Sequence, residues 1–468
     1  MGFSALLFGL VAAMVALVAL VALVPLARAA GIAPEQDVTE IRHVRVIDGT
    51  GRPPIEDATI TIEGEKIIGI GPSTGTEPHA PALVIDGRGM TVMPGIINAH
   101  GHLGLVDGTE NSATYYTRDH VMAELRQYER YGVTTMLSLG LNRDLIYGIR
   151  ADQQAGRLGG ATVLVADRGN GVLGGAPTLP HAPDQLYTPT TPEEARKDVD
   201  AAVGRQTNFI KIWMDSLYGS RPRMDPLIAQ AIIEEAHAHH TPVAAHEFTL
   251  ADAKWLVNAG VDVLGHSVRN EVIDAEFIRM MQEHGTYYIP TLTVDNSAFV
   301  YADHPEYLQT AFFRNSVPPP LYAMLTGPGY RAKVEADPLT ARHRNDFANA
   351  EKNLKLAEDA GLKVAFGTDS GANPFRIPGF AEHNELALMV AAGLTPMQAI
   401  HAATGVNAQM LGIADRTGTL VVGHQADLLL LAGNPLDDIH NTRRIVKIWH
   451  NGLEIQPAVP AAVQERGR

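Results

Sequence analysis

Between residues 91 and 411 the chain repeats one local pattern, a short β-prone apolar run followed by a longer amphipathic stretch. Aliphatic and β-branched residues cluster over 92–98, 133–139, 162–166, 209–214, 243–248, 261–266, 287–292 and 363–368. Runs of that length and composition suit strands buried on both faces. The segments HVMAELRQYERYG, EEARKDVDAAVGRQ, LIAQAIIEEAHAHH, ADAKWLVNAG and NAEKNLKLAEDAG carry apolar residues at helical spacing, with polar faces suited to an outer ring. Strand alternating with helix implies crossover connections and parallel pairing. Eight strands fit a (β/α)8 barrel, the TIM-barrel class of α/β fold. An open doubly wound sheet shares the alternation, so the choice rests on strand count and on where polar residues fall.

The flanking segments differ in texture. IRHVRVIDGTG, DATITIEGEKIIGIG and ALVIDGRGMTVMPG are short β-rich runs separated by turn residues, and GTLVVGHQADLLLL and RIVKIWHNGLEI repeat that texture near the C-terminus. Residues 38–90 and 412–458 are therefore expected to form one small antiparallel composite β-sandwich domain around a barrel over 91–411. Residues 294–344, rich in Pro, Tyr and His, exceed an ordinary connection and are expected to be an insertion that acts as a lid. At the N-terminus, Ala5 to Val24 is an unbroken apolar run followed by Pro25 and Ala27-Arg28-Ala29. Residues 1–29 read as an export signal cleaved after Ala29, or as a retained membrane anchor through residues 5–24. Either places the protein in the periplasm or outside the cell, or anchors it facing outward.

Composition narrows the chemistry. A net charge of -15 without a basic cluster argues against a nucleic-acid partner. The absence of cysteine excludes disulfides, thiol catalysis and thiolate metal sites, which leaves nitrogen and oxygen ligands for any metal. Side chains alternate between the two faces of a strand, so in FIKIWM Lys211 shares a face with Phe209 and Trp213 while Ile210, Ile212 and Met214 face the helices. That parity points a lysine into the barrel, where an unpaired charge is costly. His246 in VAAHEF, His266 in VDVLGHSV and Asp369 in KVAFGTDS each lie at or beside a strand's C-terminal end, where this fold builds its pocket. His100 and His102, two residues apart as the first strand leaves the barrel, can reach one metal together.

PGIINAHGH, FIKIW, AAHEF, VLGHSV and FGTDSG, in that order, resemble successive motifs of the amidohydrolase superfamily, and the flanking β segments resemble its composite β domain. The branch with a lysine on the fourth strand is the most similar, including imidazolonepropionase-like proteins and Xaa-Pro dipeptidases. The resemblance spans residues 38–454. It implies that His100, His102 and Asp369 hold one metal ion and His246 and His266 a second, with Lys211 bridging them as a carbon dioxide-derived carbamate. Two divalent ions are implied, zinc first, with manganese or cobalt as alternatives. Hydrolysis would then proceed through a metal-activated hydroxide, with Asp369 as the catalytic proton carrier. Without the carbamate, Lys211 would be a barrel lysine paired with a carboxylate.

Substrate contacts are expected from residues just after barrel strands: Tyr218, Arg223, Arg269 and His383, with Arg376, Tyr115 and Tyr116 in the same region. An arginine there suits a substrate carboxylate. The trio His237, His239 and His240 reads as a solvated helix end. SLYGSRPRMDP follows Lys211 where a more glycine-rich loop is the family pattern, and this and the insertion bear on specificity. The expected activity is hydrolysis of an amide or peptide-like C–N bond in a dipeptide or N-acyl amino acid. Lactone or phosphotriester hydrolysis at the same centre is the alternative, and an exported, non-catalytic binding protein is a reading of another class. A small-molecule substrate and self-association into a homo-oligomer are the expected partners.

Overall fold

The computed structural model describes residues 38–74 and 82–459. The apolar run 5–24 and the motif at 27–29 lie outside the described residues. Among the described residues no helix is long and apolar enough to cross a membrane.

The two chain ends meet in one hydrogen-bonded sheet. From the N-terminal end come β1 (Val38–Val46), β2 (Ile55–Glu63), β3 (Lys66–Pro72), β4 (Ala82–Asp86) and β5 (Thr91–Pro94), and from the C-terminal end β16 (Leu428–Leu431), β17 (Ile445–His450) and β18 (Leu453–Ile455). The strand order is β18-β17-β16-β5-β1-β2-β3, with β4 also on β1. The unit is mixed rather than antiparallel, because β1 pairs in parallel with both β4 and β5. Its strands are hydrogen-bonded into one continuous sheet. Ile41, Ile60, Ile67, Val92, Leu428, Leu430 and Trp449 from six of its strands pack into one cluster, which a flat sheet could not achieve. The run expected as strand 92–98 is divided: β5 belongs to this sheet, and the chain passes at Gly95 into β6 (Ile96–Gly101).

After β6 and a small hairpin, β7 (Val106–Asp107) with β8 (Glu110–Asn111), come β9 (Val133–Ser138), β10 (Thr162–Val165), β11 (Ile210–Trp213), β12 (Val243–His246), β13 (Val263–Leu264), β14 (Tyr287–Tyr288) and β15 (Lys363–Val364). All neighbouring pairs among β6 and β9 to β15 run parallel, in a three-stranded sheet β10-β9-β6 and a five-stranded sheet β11-β12-β13-β14-β15. Separate backbone hydrogen bonds span the two seams. Asn208 N donates to Val165 O at 2.8 Å and Asn170 N to Lys211 O at 2.8 Å. Across the other seam, Ala99 N donates to Phe366 O at 3.1 Å and Thr368 N to His100 O at 3.1 Å. The buried Asn407 side chain adds two bonds there, to Ile97 O and Phe366 O, both 2.7 Å. This is a TIM-barrel-type α/β architecture.

The expected side-chain parity holds except at Trp213, which packs in the larger cluster with the helices. Ile97, Leu137, Leu164, Phe209, Ala244, Val263, Ile289 and Ala365 form an inner cluster, while Ile210, Ile212 and Met214 join the larger cluster with the helices. Crossover helices start at residues that satisfy their free N–H groups: Thr117, Thr191, Asp225, Thr249 and Asp274 each accept a backbone hydrogen bond as N-caps. Helix Pro226–Ala238 buries Ile228, Ile232, Ile233 and Ala236. The insertion is a chain of short helices from Thr293 to Ala336 leading into helix Pro338–Asp359. It has its own aromatic core, in which Tyr301, Leu308, Phe312 and Phe313 pack on Tyr131 and Phe380.

Candidate metal centre

The six residues singled out as ligands come together at the C-terminal ends of the parallel strands. His100 leaves β6 with His102 beyond it, Lys211 lies within β11, His246 ends β12, His266 follows β13 and Asp369 follows β15. His102 Nε2 lies 3.0 Å and His100 Nε2 3.3 Å from Asp369 Oδ1. The His100 and His266 rings are 4.7 Å apart, and those of His246 and His266 4.5 Å. His100, His266 and Asp369 offer ligand atoms that all lie within 4.8 Å of one another. The four histidines thus form a continuous cluster, with His266 beside both His100 and His246.

Lys211 is wholly buried, and its Nζ has no hydrogen-bond partner among the described residues. It stands 5.2 Å from the centroid of the Trp213 ring. Two glycines make that packing fit: Gly140 (φ 101°) and Gly169 (φ 80°) hold left-handed backbone, and a Cβ at either would meet the Trp213 indole at 2.5 Å. Burial pulls the Lys211 ammonium down to about 8, against the opposing pull of the Asp369 and Glu247 carboxylates. Burial thus favours the neutral amine relative to a solvated lysine.

The other groups are poised in ligand form. Burial and the nearby Lys211 take His100 down to about 3. Burial, with His246 and His100 nearby, holds His266 well below its usual range, and burial lowers His246 despite its hydrogen bond to Asp215. Asp369 resists burial because of Arg376, His100 and His102, and stays well below the usual carboxylate range. Neutral imidazoles beside an ionised carboxylate are the states a divalent cation requires. The outer nitrogens are oriented: His100 Nδ1 bonds to Gly265 O at 2.7 Å, and His266 Nδ1 to Thr291 Oγ1 at 2.7 Å. Among the described residues, buried His102 Nδ1 and Lys211 Nζ have no hydrogen-bond partner, and His100 Nε2 has none beyond its 3.3 Å approach to Asp369 Oδ1. Orphaned buried nitrogens around an ionised carboxylate fit a divalent ion.

Other polar residues surround the cluster. Arg376 Nη1 donates to Asp369 Oδ2. Asp215 Oδ2 lies 3.1 Å from His246 Nε2. Glu247 is fully buried, with no hydrogen bond to either carboxylate oxygen among the described residues, and burial pushes it up to about 8. Sequence reasoning passed over Asp215 and Glu247; each adjoins a strand residue already singled out, and a carboxylate at a barrel strand end was the available signal.

The expected substrate contacts divide. Arg269 is buried with its guanidinium 5.1 Å over the Phe248 ring, 3.5 Å from Asp295 Oδ2, and its Nε has no partner among the described residues. Tyr218 is 46% exposed and donates its hydroxyl to Asp346 Oδ2 at 2.7 Å, beneath the Arg342 guanidinium. Arg223 is drawn to Asp252 in the first turn of helix Leu250–Asn258. His383 is corrected outright. It is buried in helix Phe380–Ala391, with Nδ1 on Thr442 Oγ1 at 3.0 Å and Nε2 on Tyr131 O at 2.8 Å, so neither nitrogen is open to a substrate. Tyr116 is likewise buried, bonded to Asn142, and Tyr115 bonds to Glu110. His237 and His239 pair with Asp262 and Asp200 at the exposed end of helix Pro226–Ala238, as a solvated helix end would.

The family description "Amidohydrolase family" matches residues 91–455, most of the chain and all eight parallel strands. The chain belongs to the amidohydrolase family. This amidohydrolase is 26% identical to ochratoxinase of Aspergillus niger over 459 residues, covering 89% of this chain and 86% of that protein. It is 39% identical to imidazolonepropionase of Deinococcus deserti over 101 residues, which is 21% of this chain and 25% of that one. Among solved structures, a provisionally named prolidase from Bifidobacterium longum superposes with a TM-score of 0.72 at 26% identity, covering 93% of this chain and 100% of that one. The expected resemblance to the imidazolonepropionase and prolidase branch therefore holds. The protein is a hydrolase of carbon–nitrogen bonds, in a family that generally binds divalent metal.

Proposed function

We propose that this amidohydrolase cleaves an amide or peptide-like bond of a small, carboxylate-bearing substrate, of the dipeptide or N-acyl amino acid type, at a centre for two divalent ions. The observation that carries this reading is the Lys211 amine, buried and unpartnered among lowered histidines and an ionised aspartate. His100, His102, His246, His266 and Asp369 would hold the ions, zinc first, with Lys211, as a carbamate, as a further ligand. Such ions supply carbonyl polarisation and water activation when bound. A neutral amine is the form that reacts with carbon dioxide, and the lowered Lys211 supports that state. Asp369 Oδ1 faces His100 and His102, leaving Oδ2, braced by Arg376, to accept a proton from the attacking water and return it to the leaving nitrogen. Arg269 is suited to a substrate carboxylate through its incompletely bonded guanidinium, with Tyr218 beside it at the mouth. The likeness to ochratoxinase and to the prolidase supports amide over ester substrates. The apolar run at 5–24 supports export, by cleavage or as an anchor; the mass of the mature N-terminus distinguishes these.

The test is metal analysis of the purified protein with a panel of N-acyl amino acids, dipeptides, lactones and phosphotriesters. Amide turnover with about two ions per chain is expected, and Lys211→Ala should lose metal and at least 100-fold in kcat/KM, about 2.7 kcal/mol of barrier. Full activity in metal-free or Lys211→Ala protein would overturn the centre. Predominant lactone or phosphotriester turnover would replace the amide assignment, and tight binding without turnover would favour a binding protein.

A further inference from the structure

Two residues that orient the cluster hold backbone that side-chain-bearing residues rarely adopt. Thr291, whose hydroxyl meets His266 Nδ1, has φ 43°, and Asp369 has φ 56°. For a β-branched threonine this conformation is a genuine outlier that persists only where neighbours enforce it. The neighbours in both cases are hydrogen-bonded to carboxylates on one helix, Phe380–Ala391, which supplies no member of the cluster.

Glu385 accepts hydrogen bonds from Leu292 N at 2.7 Å, Thr293 N at 2.7 Å and Thr293 Oγ1 at 2.5 Å, the residues directly after Thr291. Glu382, three positions earlier and so on the same helix face, accepts from Thr368 Oγ1 at 2.8 Å and Ser370 Oγ at 2.6 Å, the two neighbours of Asp369. It also accepts from Asn98 Nδ2 at 2.8 Å and Gly379 N at 2.6 Å. Asn98 Oδ1 in turn accepts the His100 amide at 3.0 Å. Both glutamates are fully buried, and every one of these partners is a neutral donor. We infer that Glu382 and Glu385 are positioning residues that clamp both sides of the metal centre from one helix: Glu382 sets His100 and Asp369, and Glu385 sets His266 through Thr291. A glutamine at either position would turn an N–H towards a donor and release part of the clamp.

The inference rests on the metal-centre reading, and the experiment separates the two. Zn2+ affinity of the full chain is measured by competition with a chromophoric chelator, with thermal melting of the metal-free proteins alongside. Glu382→Gln and Glu385→Gln should bind Zn2+ 10–100-fold more weakly than wild type. Thr293→Val, which removes one donor to Glu385, should show a smaller loss in the same direction. Glu129→Gln, a buried carboxylate paired with His450 away from the cluster, should lower the melting temperature without moving Zn2+ affinity. Folded glutamine variants with Zn2+ affinity within twofold of wild type overturn the inference, as does a Glu129→Gln loss equal to theirs. If the glutamine variants do not fold, unchanged affinity in Thr293→Val overturns it. Wild-type protein that takes up no Zn2+ sinks the metal reading instead, and this inference with it.

Discussion

A histidine just after a barrel strand and a histidine in a helix core look alike in sequence, and His383 shows the difference. Its Nε2–H donates to Tyr131 O and its Nδ1 lies 3.0 Å from Thr442 Oγ1 inside the core, with the ring packed edge-on against Phe312. His383→Leu should therefore destabilise the fold by about 2 kcal/mol, largely by leaving Tyr131 O unpaired, with KM unchanged. Chemical denaturation and steady-state kinetics on one preparation check this; a raised KM at normal stability would restore a substrate role. Arg223 differs: it is partly exposed and is drawn to Asp252, 29 residues further along the chain. By contrast, the ligand candidates were legible because strand parity is local. An inward lysine among Phe209 and Trp213 has no bland reading as cheap as a surface histidine's.

At the scale of elements, the long helix Arg118–Arg130 is tied to the end sheet by one buried pair. Glu129 Oε1 lies 2.7 Å from His450 Nδ1 on β17, and His450 Nε2 meets Thr162 Oγ1 of β10 at 3.0 Å. Burial lowers the His450 imidazole, but the hydrogen bond to Glu129 and the Asp427 and Glu129 carboxylates outweigh it, and the net shift is upward. A folded pKa above the unfolded value means that the bridge's contribution is complete below about pH 6.5 and is lost as pH rises through the folded value. The melting-temperature gap between wild type and His450→Gln should thus be wide at pH 5.5 and narrow at pH 9. An equal gap at both would show that His450 acts by packing alone. The helices themselves were readable from their apolar spacing and Thr or Asp caps. The short helices within the insertion were not, because they are held by a shared aromatic core rather than by their own periodicity.

For the whole molecule, the candidate metal centre joins six residues from five strands or strand ends spread between His100 and Asp369. Occupancy should therefore act as a global staple. Chelation is expected to lower the melting temperature reversibly, and free metal at 100 times its dissociation constant to return about 2.7 kcal/mol. Calorimetry with and without chelator measures this; an unchanged melting temperature would contradict ligation by the cluster.

Strand parity, the strand–helix alternation and the ordered histidine, lysine and aspartate motifs were settled by the sequence, because period-two and helical spacing are local properties of the chain. Three matters were decided only by tertiary structure. The run at 92–98 splits between two sheets, since strand partners come from distant segments. His266 lies as near His100 as His246, because ring orientation depends on neighbouring strands. And Glu382 and Glu385, an unremarked pair on a late helix, reach the backbone around Asp369 and Thr291 only once the barrel-type fold brings that helix against both strand ends.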